Sequence, residues 1–378
     1  MPKNYIYLPE KGFHLFEREL SRRSGTDVDI ICHPSRIGYA RQQAKRRKET
    51  TRVFIVTEVP EVPSEWSGAE VVLPLSFTLQ KLKFVPRTEI PDLKPYYLEI
   101  EYLHKLGFRE FRLSTLWGER VFSIPKLLYD YHHLHAGRLG IVVANGPSLR
   151  QVDMSRLSNH VTFGSNRIFQ GFPDWGFTFD YWGIEDRLQI EEHEAEYREE
   201  LPSEMVKFYP FEYLPFMNLT NSVPVRHYFN PPEPRFSLDP NIVEHGFTVT
   251  NMLLQLAAIM GCNPIYIVGL DHNYDIGKFG QPHGSFLDAA KEADLEKAPE
   301  SEFWSGGMAK SDTHFNPNYT AGDRRFVPPR PVAAEKAFEF AAEVLGNAGI
   351  KVFNASPGTK LTTFPIISME EFEQSLDS

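Results

Sequence analysis

The sequence predicts an α/β protein with a doubly wound, mostly parallel sheet, preceded by a smaller α/β domain. Two segments carry this prediction. In the first, an apolar strand at residues 141–143 runs directly into a turn at residues 145–148. In the second, an apolar helix ending at Gly261 leads into a buried strand at residues 265–268. Apolar strands that alternate with helices are typical of a parallel sheet.

The turn after the first strand has the composition of an anion-binding helix start. Asn145 and Gly146 tolerate unusual backbone angles, and Pro147 suits the first helical turn. Ser148 with Gln151 matches a capping box. Unpaired amides at a helix start bind phosphate, so we expect a nucleotide here. A plain strand-to-helix connection is the alternative.

The second segment places polar groups at another strand end. Thr248 or Thr250 caps its helix, and its strand ends at Gly269 and Asp271. In open parallel sheets, ligands bind beyond the carboxyl ends of the strands. We therefore expect Asn145 and Asp271 to face the same crevice.

Two further strand ends carry polar side chains. Asn166 ends a strand at residues 161–166, where it either binds the nucleotide or caps its own turn. Glu185 and Asp186 follow a strand at residues 177–182. These carboxylates suit a divalent ion near phosphates, and an exposed helix start explains them equally well.

Three regions are predicted along the chain. Residues 1–137 form the small α/β domain, and residues 138–366 form the nucleotide-binding domain, with a long loop or lid at 272–331. Residues 367–378 form a C-terminal helix that begins with a capping box of Ser368 and Glu371.

Composition and charge exclude several classes of protein. With 378 residues, 42% of them hydrophobic, the chain can bury a sizeable core, and its net charge of -10 argues against a general nucleic-acid binder. Cys32 and Cys262 are too few for a disulfide scaffold or a cysteine zinc site. Because no apolar run suits a signal peptide or a membrane span, we expect a cytoplasmic protein with at most peripheral contact at the inner membrane face.

The motifs Asn145-Gly-Pro-Ser148 and Thr248…Gly261…Gly269-Leu-Asp271 resemble the bacterial sialyltransferases that build lipooligosaccharide caps. They are similar also to the Maf flagellin-glycosylation factors and the archaeal 6-hydroxymethylpterin diphosphokinases. The resemblance covers roughly residues 139–366. It implies a Rossmann-like domain in which Asn145, Asn166 and Thr248 bind the nucleotide. The helix start and the strand ends add Gly146, Pro147, Ser148, Gly269 and Asp271 to the expected nucleotide-binding residues.

The loop at 272–331 concentrates the candidate chemistry. Transfer from a nucleotide sugar requires a base for the acceptor hydroxyl and hydrogen-bond donors for the departing phosphate. We assign His314 as the base, Tyr319 and Tyr274 as phosphate donors and Arg324 as a charge partner. A buried structural histidine or a tyrosine that packs in the loop is the alternative in each case.

The sequence departs from the sialyltransferase pattern at three positions. Asn318 stands where those enzymes have their catalytic histidine, Asn273 stands where they have a catalytic tyrosine, and Val249 replaces a serine that touches the nucleotide. The resemblance therefore supports the nucleotide crevice more directly than it supports the reaction.

Three functions follow as expectations. The first is a glycosyltransferase-like enzyme that moves an acidic sugar from a CMP-activated donor to a surface glycan or flagellin, without a required cofactor or metal. The second is an ATP- and Mg²⁺-dependent diphosphokinase of the pterin type, with a role for Glu185 or Asp186. The third is a nucleotide-binding scaffold without turnover. No nucleic-acid partner is expected, and formation of a homo-oligomer stays open.

Overall fold

The computed structural model describes most of the chain, namely residues 4–10, 13–47, 49–57, 59, 62–74, 79–82, 85, 88–115, 118–228, 235–273, 281–282, 304–305, 314–319, 325–326 and 329–377. The chain divides into two compact units. Unit 1 comprises Met1–Leu82, Pro86–Leu127 and Phe211–Phe216, and unit 2 comprises Lys83–Val85, Leu128–Pro210 and Met217–Ser378.

Unit 1 is an α/β unit whose described residues form a six-stranded sheet and a separate two-stranded one. Its strands are β1 (Asn4–Leu8), β2 (Val28–Cys32), β3 (Thr51–Ile55), β4 (Glu70–Leu73), β5 (Leu79–Lys81), β6 (Glu89–Pro91), β7 (Glu110–Thr115) and β8 (Gly118–Ser123). Its helices are α1 (Phe13–Arg22), α2 (Ile37–Lys45) and α3 (Tyr97–Lys105). Among the described residues, the sheet has the order β3-β2-β1-β4-β7-β8. All of its pairs are parallel except β7 with β8.

Among the described residues, unit 2 contains the larger, seven-stranded sheet and two smaller sheets of two and three strands. Its strands are β9 (Gly140–Val143), β10 (Val161–Ser165), β11 (Tyr181–Gly183), β12 (Val206–Pro210), β13 (Ser222–Val225), β14 (His227–Tyr228), β15 (Val243–Glu244), β16 (Ile265–Val268), β17 (Gln281–Pro282), β18 (Trp304–Ser305), β19 (Arg325–Phe326) and β20 (Val352–Asn354). The helices after α3 are α4 (Phe172–Trp175), α5 (Arg187–Glu200), α6 (Leu214–Met217), α7 (Val249–Ile259), α8 (Pro331–Asn347) and α9 (Met369–Leu376). Residues 214–216 of α6 belong to unit 1, and the other helices belong to unit 2.

The chain also contains short 3₁₀ helices. They cover Pro34–Arg36, Ser64–Trp66, Lys94–Tyr96, Leu128–Tyr131, Pro147–Gln151, Met154–Asn159, Ile168–Gly171 and Phe211–Tyr213.

The sheet of unit 2 reverses its winding direction at β9. In the described part of the chain, its order is β13-β12-β11-β10-β9-β16-β20, with every pair parallel. Strands β10 to β13 lie on one side of β9, and β16 and β20 lie on the other. This is a doubly wound sheet, so the predicted fold class is confirmed. The crevice of such a sheet lies at the reversal, beyond the carboxyl ends of β9 and β16.

Helix α7 connects the two sides of this sheet. The Thr248 side chain caps it by accepting a hydrogen bond from Thr250 N, and Gly261 follows it in the left-handed region at φ +85°. Residues 250–259 are all buried, and the helix packs against β9, β10 and β11. An apolar helix of this kind, buried all round, belongs in the core of a large domain.

Three predicted elements differ in the structure. The strand predicted at 177–182 is reduced to β11, because the Asp180 carboxylate instead accepts hydrogen bonds from Thr162 N and Oγ1 at 2.9 and 3.1 Å. The sequence around residues 124–133 also has a helical pattern, which predicts a helix there, but the structure has only the 3₁₀ turn Leu128–Tyr131. The capping box of Ser148 and Gln151 is wrong, because Gly146 occupies the cap position without a side-chain bond.

The capping box of Ser368 and Glu371 at the start of α9 is confirmed by reciprocal hydrogen bonds. The sequence also predicts a short amphipathic helix near residues 286–297, which lies outside the described residues, as does most of the predicted lid at 272–331. Among the described residues, we find no helix that is both long enough and apolar enough to cross a membrane.

We expect Gly269→Ala to destabilise unit 2. Gly269 has φ +72°, and an added Cβ would lie 2.7 Å from the Ala144 carbonyl oxygen. The left-handed backbone alone costs a non-glycine residue about 1–3 kcal/mol, and the clash adds to this cost. Urea denaturation measures the loss. The control is Gly346→Ala in α8, where nothing lies within 4 Å and alanine is expected to gain about 0.5–1 kcal/mol. Equal stability of the two variants would contradict the prediction.

Candidate functional site

The turn after β9 is bonded to the end of β16. Ala144 N donates to Val268 O at 2.9 Å, and Gly146 N donates to Gly269 O at 2.8 Å. The pairing of β9 with β16 therefore continues past both strands into the loops that follow them. An added Cβ on Gly146 would lie 2.5 Å from Gly269 O, so only glycine fits at this close approach.

Asp271 binds the same turn with its carboxylate. Its Oδ2 accepts from Ser148 N at 3.0 Å, and its Oδ1 accepts from Ser148 Oγ. Leu149 N donates to Gly146 O at 3.1 Å, and Pro147 has no N–H. The amides expected to receive a phosphate here are thus already paired within the protein. In this structure the chain's own carboxylate takes the place expected for an anion at Ser148 N, and the phosphate site expected on these amides stays a prediction.

Asn145 and Asn166 lie at the carboxyl ends of the neighbouring strands β9 and β10. Asn145 Nδ2 donates to Ser165 O at 3.3 Å and to Ser165 Oγ at 3.2 Å. Asn166 has φ +49°, and its carbonyl accepts from Trp182 Nε1 at 2.7 Å. Within the described part of the chain, the side-chain oxygens of both asparagines are buried and have no hydrogen-bond partner. Two buried acceptors of this kind call for a donor from outside the protein.

Residues 314–319 dock on this edge of the sheet. Phe315 N donates to Asn145 O at 2.9 Å. The Arg150 guanidinium donates to Phe315 O at 2.7 Å and to His314 O at 2.8 Å. The structure therefore brings His314 to the end of β9, as the sequence prediction requires.

Arg167 and Tyr319 complete the contact on the side of β10. The Arg167 guanidinium donates to Tyr319 O and to Glu196 Oε1, the second at 2.6 Å. The Tyr319 ring stacks on the His314 ring, with centroids 3.9 Å apart. Burial, together with the nearby charge of Arg167, lowers the pKa of His314 to about 3, and burial raises the pKa of Tyr319 to about 12. Near neutral pH the pair is an uncharged imidazole beside a phenol that keeps its proton.

Glu185 and Asp186 are both engaged within the protein. Glu185 Oε2 lies 2.8 Å from His227 Nε2. Burial would raise the pKa of Glu185, but His245 and His227 outweigh it and the pKa is lowered. Asp186 accepts from two backbone N–H groups at the start of α5, and burial raises its pKa to about 6. Among the described residues, no group of three histidine, cysteine or acidic side chains is arranged to hold a metal ion.

The remaining predicted residues have different outcomes. The Thr248 hydroxyl is used as the cap of α7, and Gly269 is the left-handed residue that follows β16. Tyr274 and Arg324 lie outside the described residues. Arg150, which holds His314 and Phe315, was not predicted. Arg167 directly follows Asn166 at the end of β10, so the strand-end rule finds it.

Residues 120–277 match a family model described as 6-hydroxymethylpterin diphosphokinase MptE-like. We call these residues, which are similar to that family, the MptE-like segment. The MptE-like segment includes β9 to β16 and therefore the turn at 145–148, Asn166, Thr248 and Asp271. The relation to this family that the sequence predicts is confirmed for the segment.

The chain is also similar to a solved structure of a Maf glycosyltransferase from Magnetospirillum magneticum AMB-1. The TM-score is 0.36 and the identity is 12%, over 99% of this chain and 61% of that one. This chain thus spans 61% of the length of the Maf glycosyltransferase. No curated protein matches the sequence.

We expect Ser148 and Asp271 to contribute to stability as a pair. Hydrogen bonds to a charged group are worth about 1.5–3 kcal/mol, so Asp271→Asn and Ser148→Ala should each destabilise unit 2. In a double-mutant cycle, the two losses should not add, because both variants remove the same contact. The control is Asp239→Asn, since Asp239 is exposed and accepts only from Asn241 nearby in sequence. Additive losses would show that the two side chains act independently.

Proposed function

We propose that this protein is a glycosyltransferase-like enzyme that uses a nucleotide-activated sugar, with a CMP-activated acidic sugar as the donor and a surface glycan or flagellin as the acceptor. The nucleotide binds beyond the carboxyl ends of β9 and β10. Its binding requires no metal ion held by the protein. The proposal applies to the MptE-like segment together with residues 314–319.

The observation that carries the proposal is the pair of buried amide oxygens of Asn145 and Asn166. Asn145 lies at the reversal of a doubly wound sheet, where nucleotides bind in such folds, and Asn166 lies at the end of the neighbouring strand β10. Each oxygen accepts a hydrogen bond, and the amine of a base or a ribose hydroxyl donates one. The Asn145 side chain is fixed by Ser165, so its oxygen is oriented before a ligand arrives.

The docked segment supplies groups for the transfer step. Tyr319 keeps its proton and donates a hydrogen bond to the departing phosphate. His314 is uncharged, which is the form that accepts the acceptor hydroxyl's proton, although its low pKa makes it a weak base in the free protein. The negative charge of a bound donor next to Arg167 would raise the pKa of His314 towards its ordinary value. Tyr274 and Arg324 complete the proposed set.

A diphosphokinase is the second candidate, and the description of the matching family favours it. That reaction requires ATP and Mg²⁺, and the expected ligands were Glu185 and Asp186. Both carboxylates are already bonded within the protein: Glu185 contacts His227, and Asp186 accepts hydrogen bonds from backbone N–H groups at the start of α5. A metal ion would have to displace these contacts, so we place this candidate second.

We expect the protein to bind cytidine nucleotides without Mg²⁺. Titration calorimetry with CMP, CDP, UDP, GDP and ATP, each with and without Mg²⁺, separates the two candidates. Asn166→Gly keeps the left-handed backbone and removes the amide, so it should weaken binding about threefold to tenfold, the worth of one neutral hydrogen bond. The control is Asn218→Gly, since Asn218 also has positive φ but is exposed.

Binding of ATP only with Mg²⁺ would replace the glycosyltransferase proposal with the diphosphokinase. Binding of none of the five nucleotides would contradict both.

A further inference from the structure

Helix α7 carries two buried amide side chains on one face, Asn251 and Gln255, one helical turn apart. Residues 241–247, which we call the β15 strap, run along this face. The strap contacts both amides, but it satisfies only one of them. This difference separates a structural amide from one that lacks its partner.

Gln255 is fully bonded to the strap. Its Oε1 accepts from Glu244 N at 3.1 Å, and its Nε2 donates to Ile242 O at 3.0 Å. The side chain is completely buried, and both ends of its amide are used. Gln255 therefore holds the strap on the helix, and this structural role accounts for its presence in the core.

Asn251 is as deeply buried as Gln255, but neither its oxygen nor its nitrogen has a hydrogen-bond partner among the described residues. The strap passes it at Gly246, where an added Cβ would lie 2.3 Å from Asn251 Cγ. The strap thus packs against this amide without bonding it. Burying an amide without partners costs free energy, and folded proteins retain few such groups without a reason.

The position of Asn251 links it to the crevice. It lies in the first turn of α7, where the neighbouring Leu253 packs against Gly183 at the carboxyl end of β11. The carbonyl of Gly183 accepts from Asn166 N at 3.3 Å. The first turn of α7, which carries Asn251, therefore lies level with the carboxyl ends of β10 and β11, while the Asn251 side chain leaves the helix in a different direction from Leu253. The helix start adds a positive dipole to this end.

We infer that Asn251 binds hydroxyl groups of the sugar carried by the nucleotide donor. This inference rests on the proposed function. A sugar hydroxyl both donates and accepts, so two neighbouring hydroxyls satisfy the oxygen and the nitrogen of one amide. The side-chain oxygens of Asn145 and Asn166 are left free to accept from the nucleotide. Asn251 is then the residue that distinguishes a nucleotide sugar from the nucleotide alone.

The test compares nucleotides with their sugar conjugates by calorimetry, using CMP with CMP-N-acetylneuraminate and UDP with UDP-N-acetylglucosamine. In the unsubstituted protein, we expect the sugar conjugate to bind more tightly than its nucleotide. Asn251→Leu should lower the affinity for the sugar conjugate about tenfold, because two hydrogen bonds are lost, and should leave the affinity for the nucleotide unchanged. The same variant should raise Tm by about 2–4 °C, because leucine removes an unpaired buried amide.

The matched control is Gln255→Leu. It should lower Tm, since it leaves Glu244 N and Ile242 O without their partner, and it should keep the ratio of conjugate to nucleotide affinity. Asn251→Ala serves as a second variant if the leucine does not fit. It should reproduce the loss of affinity for the conjugate.

An unchanged affinity ratio in both Asn251 variants would overturn the inference and leave the proposed function standing. Equal weakening of nucleotide and conjugate would also overturn it, since Asn251 would then bind the nucleotide. Failure of the unsubstituted protein to bind any of the four compounds would instead contradict the proposed function, and the sugar assignment with it.

Discussion

The contact between Asp271 and Ser148 holds together the two sides of the doubly wound sheet. It joins the loop after β16 to the turn after β9, where the winding direction reverses. Gly146 and Gly269 allow the two loops to approach within backbone hydrogen-bonding distance. The positions of Asn145 and of the docked Phe315 depend on this arrangement, because Asn145 lies in the turn that Asp271 fixes. The carboxylate also explains why the turn does not present free amides to a phosphate.

Much of this architecture can be predicted from local sequence. The strand at Ile265–Val268, the cap at Thr248 and the left-handed Gly261 follow from patterns that are short in sequence. Contacts between distant segments could not be predicted in this way. Nothing in the sequence near Ser148 shows that its backbone N–H donates a hydrogen bond to Asp271, 123 residues later. Asp186 differs, because its cap at the start of α5 is a local contact, and a helix start was the alternative that the sequence offered beside a metal ligand.

Three asparagines give the candidate site its chemical character. Asn145 follows β9, Asn166 follows β10, and Asn251 lies in the first turn of α7. Each has at least one buried side-chain atom without a hydrogen-bond partner in the described structure. Because amides are uncharged, the proposed ligand would contact them through hydroxyls, amines and ring nitrogens rather than through phosphate charge alone. Sequence patterns identify the first two because they end strands. They do not identify Asn251, because only the packing of the β15 strap shows that the amide of this helical residue lacks hydrogen-bond partners among the described residues.

The central claim is that the ligand binds in unit 2, beyond the carboxyl ends of β9 and β10. Hydrogen–deuterium exchange, followed by mass spectrometry with and without saturating CMP-N-acetylneuraminate, tests this claim most directly. The account predicts slower exchange in peptides that contain residues 144–149, 165–168 and 314–319, because the ligand closes the edge on which Phe315 N already bonds Asn145 O. Slower exchange confined to peptides of unit 1, with these three regions unchanged, would contradict it.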